Sequence, residues 1–296
     1  MTRTGCSESV RAVLQDEIRS RDILGARRRP RVLSAVFVLP ATTRESLAFA
    51  YREPTVVTAY TAHFVHFKID HLAANVLGYV LLAGSGYVLA VLAGQRRLFG
   101  ASAVTYVLAF PFALSGLNLA VPRNAVGYGF SGVNIAFAGV LGLLLVAYAS
   151  RRIDSRLRVR HAPGVFFTAV VVVSLLALPA GVVSISVASA SALVAGVYVV
   201  SSWYDLSRTG AHTEEAAGAD STASFRDIGM LAAVVFFGYP FVGFPPAMPV
   251  DGSVVNLYVH LLGFCLGFIV PYVALEAGLF DVGRFGEPLD AADAAE

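Results

Sequence analysis

The chain has 296 residues, 56% of them apolar, 14% charged and 11% aromatic, with a formal net charge of +2 and a mean hydropathy of +0.69. Soluble domains carry about 25% charged residues, and here the apolar residues come in long blocks. These proportions exclude a disordered chain, a collagen-like fibre and a disulfide-stapled module, and they point to an all-α polytopic transmembrane helical bundle. No basic stripe is interleaved with aromatic residues, so nucleic acid is not an expected partner.

In chain order, residues 1–31 read as a basic cytoplasmic arm, with eight Arg against four acidic residues. Its polar character predicts no signal peptide. The first apolar stretch, 32–51, is weak. VLSAVFVLP is only nine residues long, and Arg44 and Glu45 follow. A charge at mid-bilayer costs roughly 2.5–3.5 kcal/mol. This stretch is expected either to cross as a short tilted helix or to enter the membrane only in part.

A hydrocarbon core about 30 Å thick takes roughly 20 helical residues. Seven segments meet that length: 70–93, 100–121, 130–149, 164–183, 184–203, 227–246 and 253–275. Pro179 and Gly181 mark the turn between the fourth and fifth. Residues 204–226, rich in Ala, Ser, Thr and Gly, read as a flexible cytoplasmic loop. The whole of 32–276 is then one membrane domain of seven or eight spans, followed by an acidic cytoplasmic tail over 277–296.

Arginine placement sets the expected orientation. Loops 94–99, 150–163 and 204–226 hold Arg96 and Arg97, a run of five Arg, and Arg208 with Arg226. Loops 122–129 and 247–252 hold only Arg123. By the positive-inside rule the arginine-rich loops are cytoplasmic, and eight crossings in the cell membrane put both chain ends inside. Cys6 and Cys265 fall in different environments, so neither a disulfide nor a metal pair is expected. His63, His66 and His71 lack acidic or thiol companions apart from Asp70 on another face, so no metal or other cofactor is expected.

Polar and ionisable residues inside spans are costly and usually functional. His71 and Asn75 stand i and i+4 at the start of the 70–93 segment, on one helix face. Both can donate hydrogen bonds to the same ligand. His63 and His66, just before them, are also compatible with an interfacial role. Ser131 opens the 130–149 segment between Gly129 and Gly132. A serine there also serves as a simple helix cap, but the glycines clear space on both sides of its hydroxyl. Gly139 and Gly142 continue the small-residue character. His260, Gly263 and Gly267 fall at i, i+3 and i+7 in the last span, a face suited to lie against another helix. His260 is equally able to be an interhelical donor.

The Ser131 and His260 spans are three crossings apart and therefore run parallel. Ser131 is expected at the start of its span and His260 about a third of the way along the other, so both lie at or below the outer face. If the glycine faces meet, the hydroxyl and the imidazole come within hydrogen-bond reach, the arrangement of an activated nucleophile. The His71 span runs the same way.

Three motifs in this order, H-x4-H-x3-N (His66, His71, Asn75), G-x-S-G (Gly129, Ser131, Gly132) and H-x2-G-x3-G (His260, Gly263, Gly267), resemble those of the rhomboid family of intramembrane serine proteases. The likeness covers roughly 60–149 and 250–276. It implies a rhomboid-like core with two extra helices, because three crossings separate the Ser and His spans where the family has one. It implies Ser131 as nucleophile, His260 as general base, and His71, Asn75 and the backbone around Gly129 and Ser131 as the oxyanion and substrate site. The implied partners are lipid and transmembrane protein substrates. Ile135 stands four residues after the serine, where an aromatic often supports the histidine ring. A catalytically inactive relative that binds single-span membrane proteins is the alternative. A small-solute transporter is disfavoured, because no repeat or matching pair of broken helices is visible.

Overall fold

The computed structural model describes residues 10–18, 20–121, 124–178, 181–208, 219–244 and 256–280. Pro179, Arg123, Cys6, loop 247–252, most of the acidic tail and residues 209–218 of the expected flexible loop lie outside the described residues. The helices are α1 (Val10–Glu17), α2 (Ser20–Phe37), α3 (Ala41–Leu47), α4 (Val56–Thr61), α5 (Ile69–Leu92), α6 (Arg96–Leu108), α7 (Phe110–Asn118), α8 (Ser131–Arg152), α9 (Ala162–Ala177), α10 (Val182–Arg208), α11 (Ala219–Gly243) and α12 (Leu257–Glu276). Among the described residues six helices are long and apolar enough to cross a membrane, and a seventh span results if α6 and α7, bent by 51°, are taken as one. The chain is thus an all-α membrane protein.

Six of the seven expected apolar spans appear as single helices, and the other, 100–121, falls on the bent pair α6 and α7. The second is broken between α6 and α7, where Pro111 has no N–H for the carbonyl one turn back. The turn between α9 and α10 falls between residues 177 and 182, as read from the sequence. Both sides of the expected 204–226 loop are shorter than anticipated, because α10 runs on to Arg208 and α11 begins at Ala219.

The stretch 32–51 is not one helix. Pro40 disfavours helical backbone just before it; α2 stops at Phe37 and α3 starts afresh at Ala41. The chain nevertheless passes from one end of the bundle to the other, on the polar helix α2. At the lower end Glu17, just before α2, pairs with Arg96 at 3.6 Å. At the upper end Phe37 lies under the Arg44 guanidinium at 5.1 Å, and Arg44 Nη1 donates to the His66 carbonyl at 2.7 Å. Midway, Arg29 is satisfied inside the bundle. Its Nη1 donates to the Tyr79 hydroxyl at 2.7 Å and its Nη2 to the Ala103 carbonyl at 3.2 Å. The guanidinium also faces the Tyr79 and Phe137 rings at 5.5 and 5.7 Å. Hydrogen bonds and aromatic faces together replace the water an arginine loses on burial. The division drawn at residue 31 therefore falls inside a helix that belongs to the bundle.

Helix α8 is the axis of the molecule, with 89% of its apolar window buried, whereas α10 is peripheral at 22%. Around α8 stand α5, α12, α11 and α9, and α10 packs chiefly on α9. Lipid tails are as apolar as leucine, so close packing rather than a hydrophobic drive joins such helices. The α8–α12 seam shows this. A Cβ on Gly263 would strike the Gly132 carbonyl, and one on Gly267 would lie 2.7 Å from the Ala136 carbonyl carbon. Pro271 deprives the Gly267 carbonyl of its usual helical donor. The Tyr106 hydroxyl on α6 supplies the replacement at 2.6 Å.

Candidate active site

A short β-pair positions the start of α8. Strand β1 (Phe49–Ala50) runs antiparallel to β2 (Val126–Gly127), pairing Phe49 with Gly127 and Ala50 with Val126. Tyr51 next to it collects the ends of two helices: its hydroxyl accepts from Asn118, at the end of α7, and from Asn256 Nδ2 at 3.0 Å. Gly129 N–H donates to the Ala62 carbonyl at 3.0 Å. Gly129 has φ +107°, a conformation that other residues adopt only with strain. A Cβ there would also lie 2.7 Å from His71 Cε1. Glycine at 129 thus lets the loop turn into α8 while the His71 ring lies against it.

Ser131 is the first residue of α8 and His260 lies in the first turn of α12. The sequence placed His260 about a third of the way along its span. The helix starts later than the apolar run because the Asn256 side chain caps it, accepting from Val259 N at 3.2 Å. Serine and histidine therefore come to the same level. Ser131 Oγ stands 2.8 Å from His260 Nε2, and His260 Nδ1 stands 2.5 Å from the Gly243 carbonyl oxygen.

The second contact decides the protonation of the first. A carbonyl only accepts, so Nδ1 carries the hydrogen and, in a neutral ring, Nε2 presents its lone pair to the serine hydroxyl. Gly243 is the last residue of α11. Its carbonyl has no partner within its own helix, and the negative end of the helix dipole favours a cation there. The edge of Phe244 meets the ring, centroids 5.9 Å apart and planes at 88°. Phe244 thus fills the supporting place that Ile135, four after the serine, does not. His260 is buried while Ser131 is partly exposed, so the hydroxyl is the accessible member of the pair.

His71 lies partly exposed in the first turn of α5. Its ring is 5.0 Å from that of His66 and 5.8 Å from Tyr128. Asn75, one turn further, is buried and linked to the serine helix through Asn134. His66 is wholly buried; burial and the neighbouring His71 charge push its pKa down to about 4. It is a neutral packing partner of His71 at pH 7. His63 is not beside the dyad. Its Nε2 meets Ser115 Oγ at 3.1 Å, and burial pushes its pKa down to about 4.

The structure therefore brings Ser131, His260, Gly129 and His71 to one end of the bundle, with Asn75 one turn below His71. Gly132, Gly263 and Gly267 lie in the seam that joins the serine and histidine helices. Among the described residues, no group of three or more His, Cys, Asp or Glu is placed to hold a metal. Sequence reasoning missed Gly243, Phe244 and Asn134. The first acts through its backbone and leaves no mark in a sequence, and the second belongs to a helix end that no motif singles out. Asn134, an amide three residues beyond Ser131 in an apolar run, was a visible signal. No family model matches the chain, and no curated protein or solved structure shows significant similarity to it.

Proposed function

We propose that this protein is an intramembrane serine endopeptidase of the rhomboid type, cutting transmembrane segments of other membrane proteins with a Ser131–His260 dyad. The observation that carries the reading is the contact chain Ser131 Oγ, His260 Nε2, His260 Nδ1, Gly243 O, with links of 2.8 and 2.5 Å. A hydroxyl aimed at a bare imidazole nitrogen is the activated form of a serine nucleophile.

In this mechanism Ser131 Oγ attacks the scissile carbonyl carbon as its proton passes to His260 Nε2. The imidazolium that forms is held by the Gly243 carbonyl at the negative end of α11, the part an acidic residue plays in a triad. The oxyanion forms at the start of α8, where first-turn N–H groups lack intrahelical partners. The Ser131 N–H, His71 and Asn75 are assigned to hold it. His260 Nε2–H then protonates the leaving amine as the acyl-enzyme forms. It next takes a proton from the attacking water and passes it to Ser131 Oγ as the acyl–oxygen bond breaks and the product leaves.

The substrate class follows from location. The dyad lies in the first turn of two spans, so the bond that reaches it lies near the end of a transmembrane segment. A helical peptide bond is shielded, so cleavage is expected where helix-breaking residues open the substrate. By the arginine distribution, the site end faces the exterior and the Arg96 and Arg151 end the cytoplasm. The test is cleavage of a fluorescent single-span substrate in proteoliposomes, alongside labelling by a fluorophosphonate. Wild type should cleave and label, and Ser131→Ala should do neither. Cleavage that survives Ser131→Ala defeats the proposal. Substrate capture by a wild type that neither cleaves nor labels favours the non-catalytic binder.

A further inference from the structure

The site contains a buried amide that the dyad does not use. Asn134 lies on α8 one turn beyond Ser131 and is wholly buried. Its Nδ2 donates to the Asn75 carbonyl at 2.8 Å and to Asn75 Oδ1 at 3.2 Å. Asn75 Nδ2 in turn donates to the His71 carbonyl at 3.0 Å. The amide sits where three helices meet. A Cβ on Gly78 of α5 would lie 2.6 Å from the Tyr239 hydroxyl of α11 and 3.4 Å from Asn134 Nδ2. Asn134 Oδ1 is buried with no hydrogen-bond partner.

These contacts fix which way round the Asn75 side chain sits. Reversing its amide would set Oδ1 against the His71 carbonyl and Nδ2 against Asn134 Nδ2. Both new contacts pair like with like, acceptor on acceptor and donor on donor. Asn75 is therefore held with its NH2 edge toward His71, which is the direction of the Ser131 end, and its oxygen edge toward Asn134. Nδ2 has a second hydrogen beyond the one the His71 carbonyl takes. Asn134 leaves its own oxygen without a partner while its Nδ2 serves the buried Asn75, so the amide is explained by what it does to Asn75 rather than by its own satisfaction.

We infer that Asn134 is a positioning residue, holding the Asn75 amide so that its NH2 edge serves the oxyanion formed beside Ser131. The inference rests on the protease reading and adds to it a residue that acts through another. Preorganised donors of this kind raise turnover more than they raise substrate affinity.

The test is a double-mutant cycle of Asn134→Leu and Asn75→Ala, read by cleavage in proteoliposomes and by melting temperature. Asn134→Leu is expected to lower kcat about 10- to 100-fold with KM within about threefold, less than the roughly 10²–10³-fold loss typical of a deleted oxyanion donor. In the Asn75→Ala background it should change kcat by less than about threefold, because its target is gone. The melting shifts should likewise fall short of additive. Equal fold losses in both backgrounds, an unchanged kcat for Asn134→Leu, or additive melting shifts each overturn the inference. If Asn134→Leu does not fold, Asn134→Ala replaces it in the same cycle. A wild type without activity whose melting shifts are non-additive overturns the protease reading, and the positioning role with it, while leaving the Asn75–Asn134 link in place. Additive shifts in an active enzyme overturn the inference alone.

Discussion

Two serine–histidine pairs lie in this bundle, Ser131 with His260 at 2.8 Å and Ser115 with His63 at 3.1 Å. Residue types and separations nearly coincide, yet the protons run in opposite directions. His260 Nδ1–H is given to Gly243, so Nε2 is bare and the Ser131 hydroxyl points its hydrogen at it. Ser115 Oγ instead donates to the Ala59 carbonyl at 2.8 Å. Its hydrogen is spoken for, and His63 Nε2 has to donate. The first pair has the geometry of the nucleophile proposed above; the second is a buried crosslink between the loop before α5 and helix α7. What separates them is the carbonyl each pair meets, Gly243 on the ring or Ala59 on the hydroxyl.

Removing each serine in turn should have very different consequences. Ser131→Ala or His260→Ala should lower cleavage by at least about 10⁴-fold, as loss of a nucleophile or base does in serine hydrolases. Ser115→Ala should leave kcat within about threefold in the same proteoliposome assay. Equal losses in the two serine variants would erase the distinction.

A second test concerns the seam that brings Ser131 and His260 together. Gly267→Leu drives a side chain into the Ala136 backbone, and should lower stability by about 1–3 kcal/mol or more, since backbone cannot step aside. Gly196→Leu, with nothing within 4 Å of its Cβ position, should change it by less than about 0.5 kcal/mol. Melting in detergent separates the two. Tyr106→Phe acts on the same seam more gently. It strands the Gly267 carbonyl that Pro271 cannot serve, at about 1–3 kcal/mol, and should lower the melting temperature with little effect on KM.

A change of pH acts on the buried histidines before α5, with a smaller effect still. His63 and His66 are held neutral with pKa values of about 4, against 6.5 when unfolded. Protonation therefore favours the unfolded chain. Their contribution should be constant above about pH 6.5, fall as pH drops from there, and level off below about 4. A pH series of melting temperatures checks this. His63→Gln, which keeps a donor toward Ser115 but does not titrate, should flatten part of the slope. A slope unchanged in that variant would mean that other groups control acid stability.

Much of this was legible before any coordinates. Apolar blocks of bilayer length gave the six helices long enough to cross a membrane and the bent α6–α7 pair, because in lipid only a helix satisfies its own backbone. Motif order and span parity put Ser131, His260 and His71 at one end, and the i, i+3, i+7 glycines marked the face on which α12 meets α8. The stretch 32–51 is divided between α2 and α3, and a hydropathy argument, which looks for apolar residues, does not single out the polar α2 that packs on the bundle. Arg29 is accommodated by Tyr79, Phe137 and the Ala103 carbonyl, which are 50 or more residues away along the chain.

From the amino-acid order follow the class of protein, a helical membrane bundle, and the length and order of its apolar helices, since those depend on local composition and periodicity. Which way the hydroxyl hydrogen points in each serine–histidine pair depends on the tertiary structure. Ser115 and Ser131 each have a histidine partner, and the direction of a proton is set by backbone carbonyls that no side-chain pattern encodes. The same holds for Asn134, whose identity was visible but whose partner, Asn75, lies 59 positions away and is met only when α5 packs on α8.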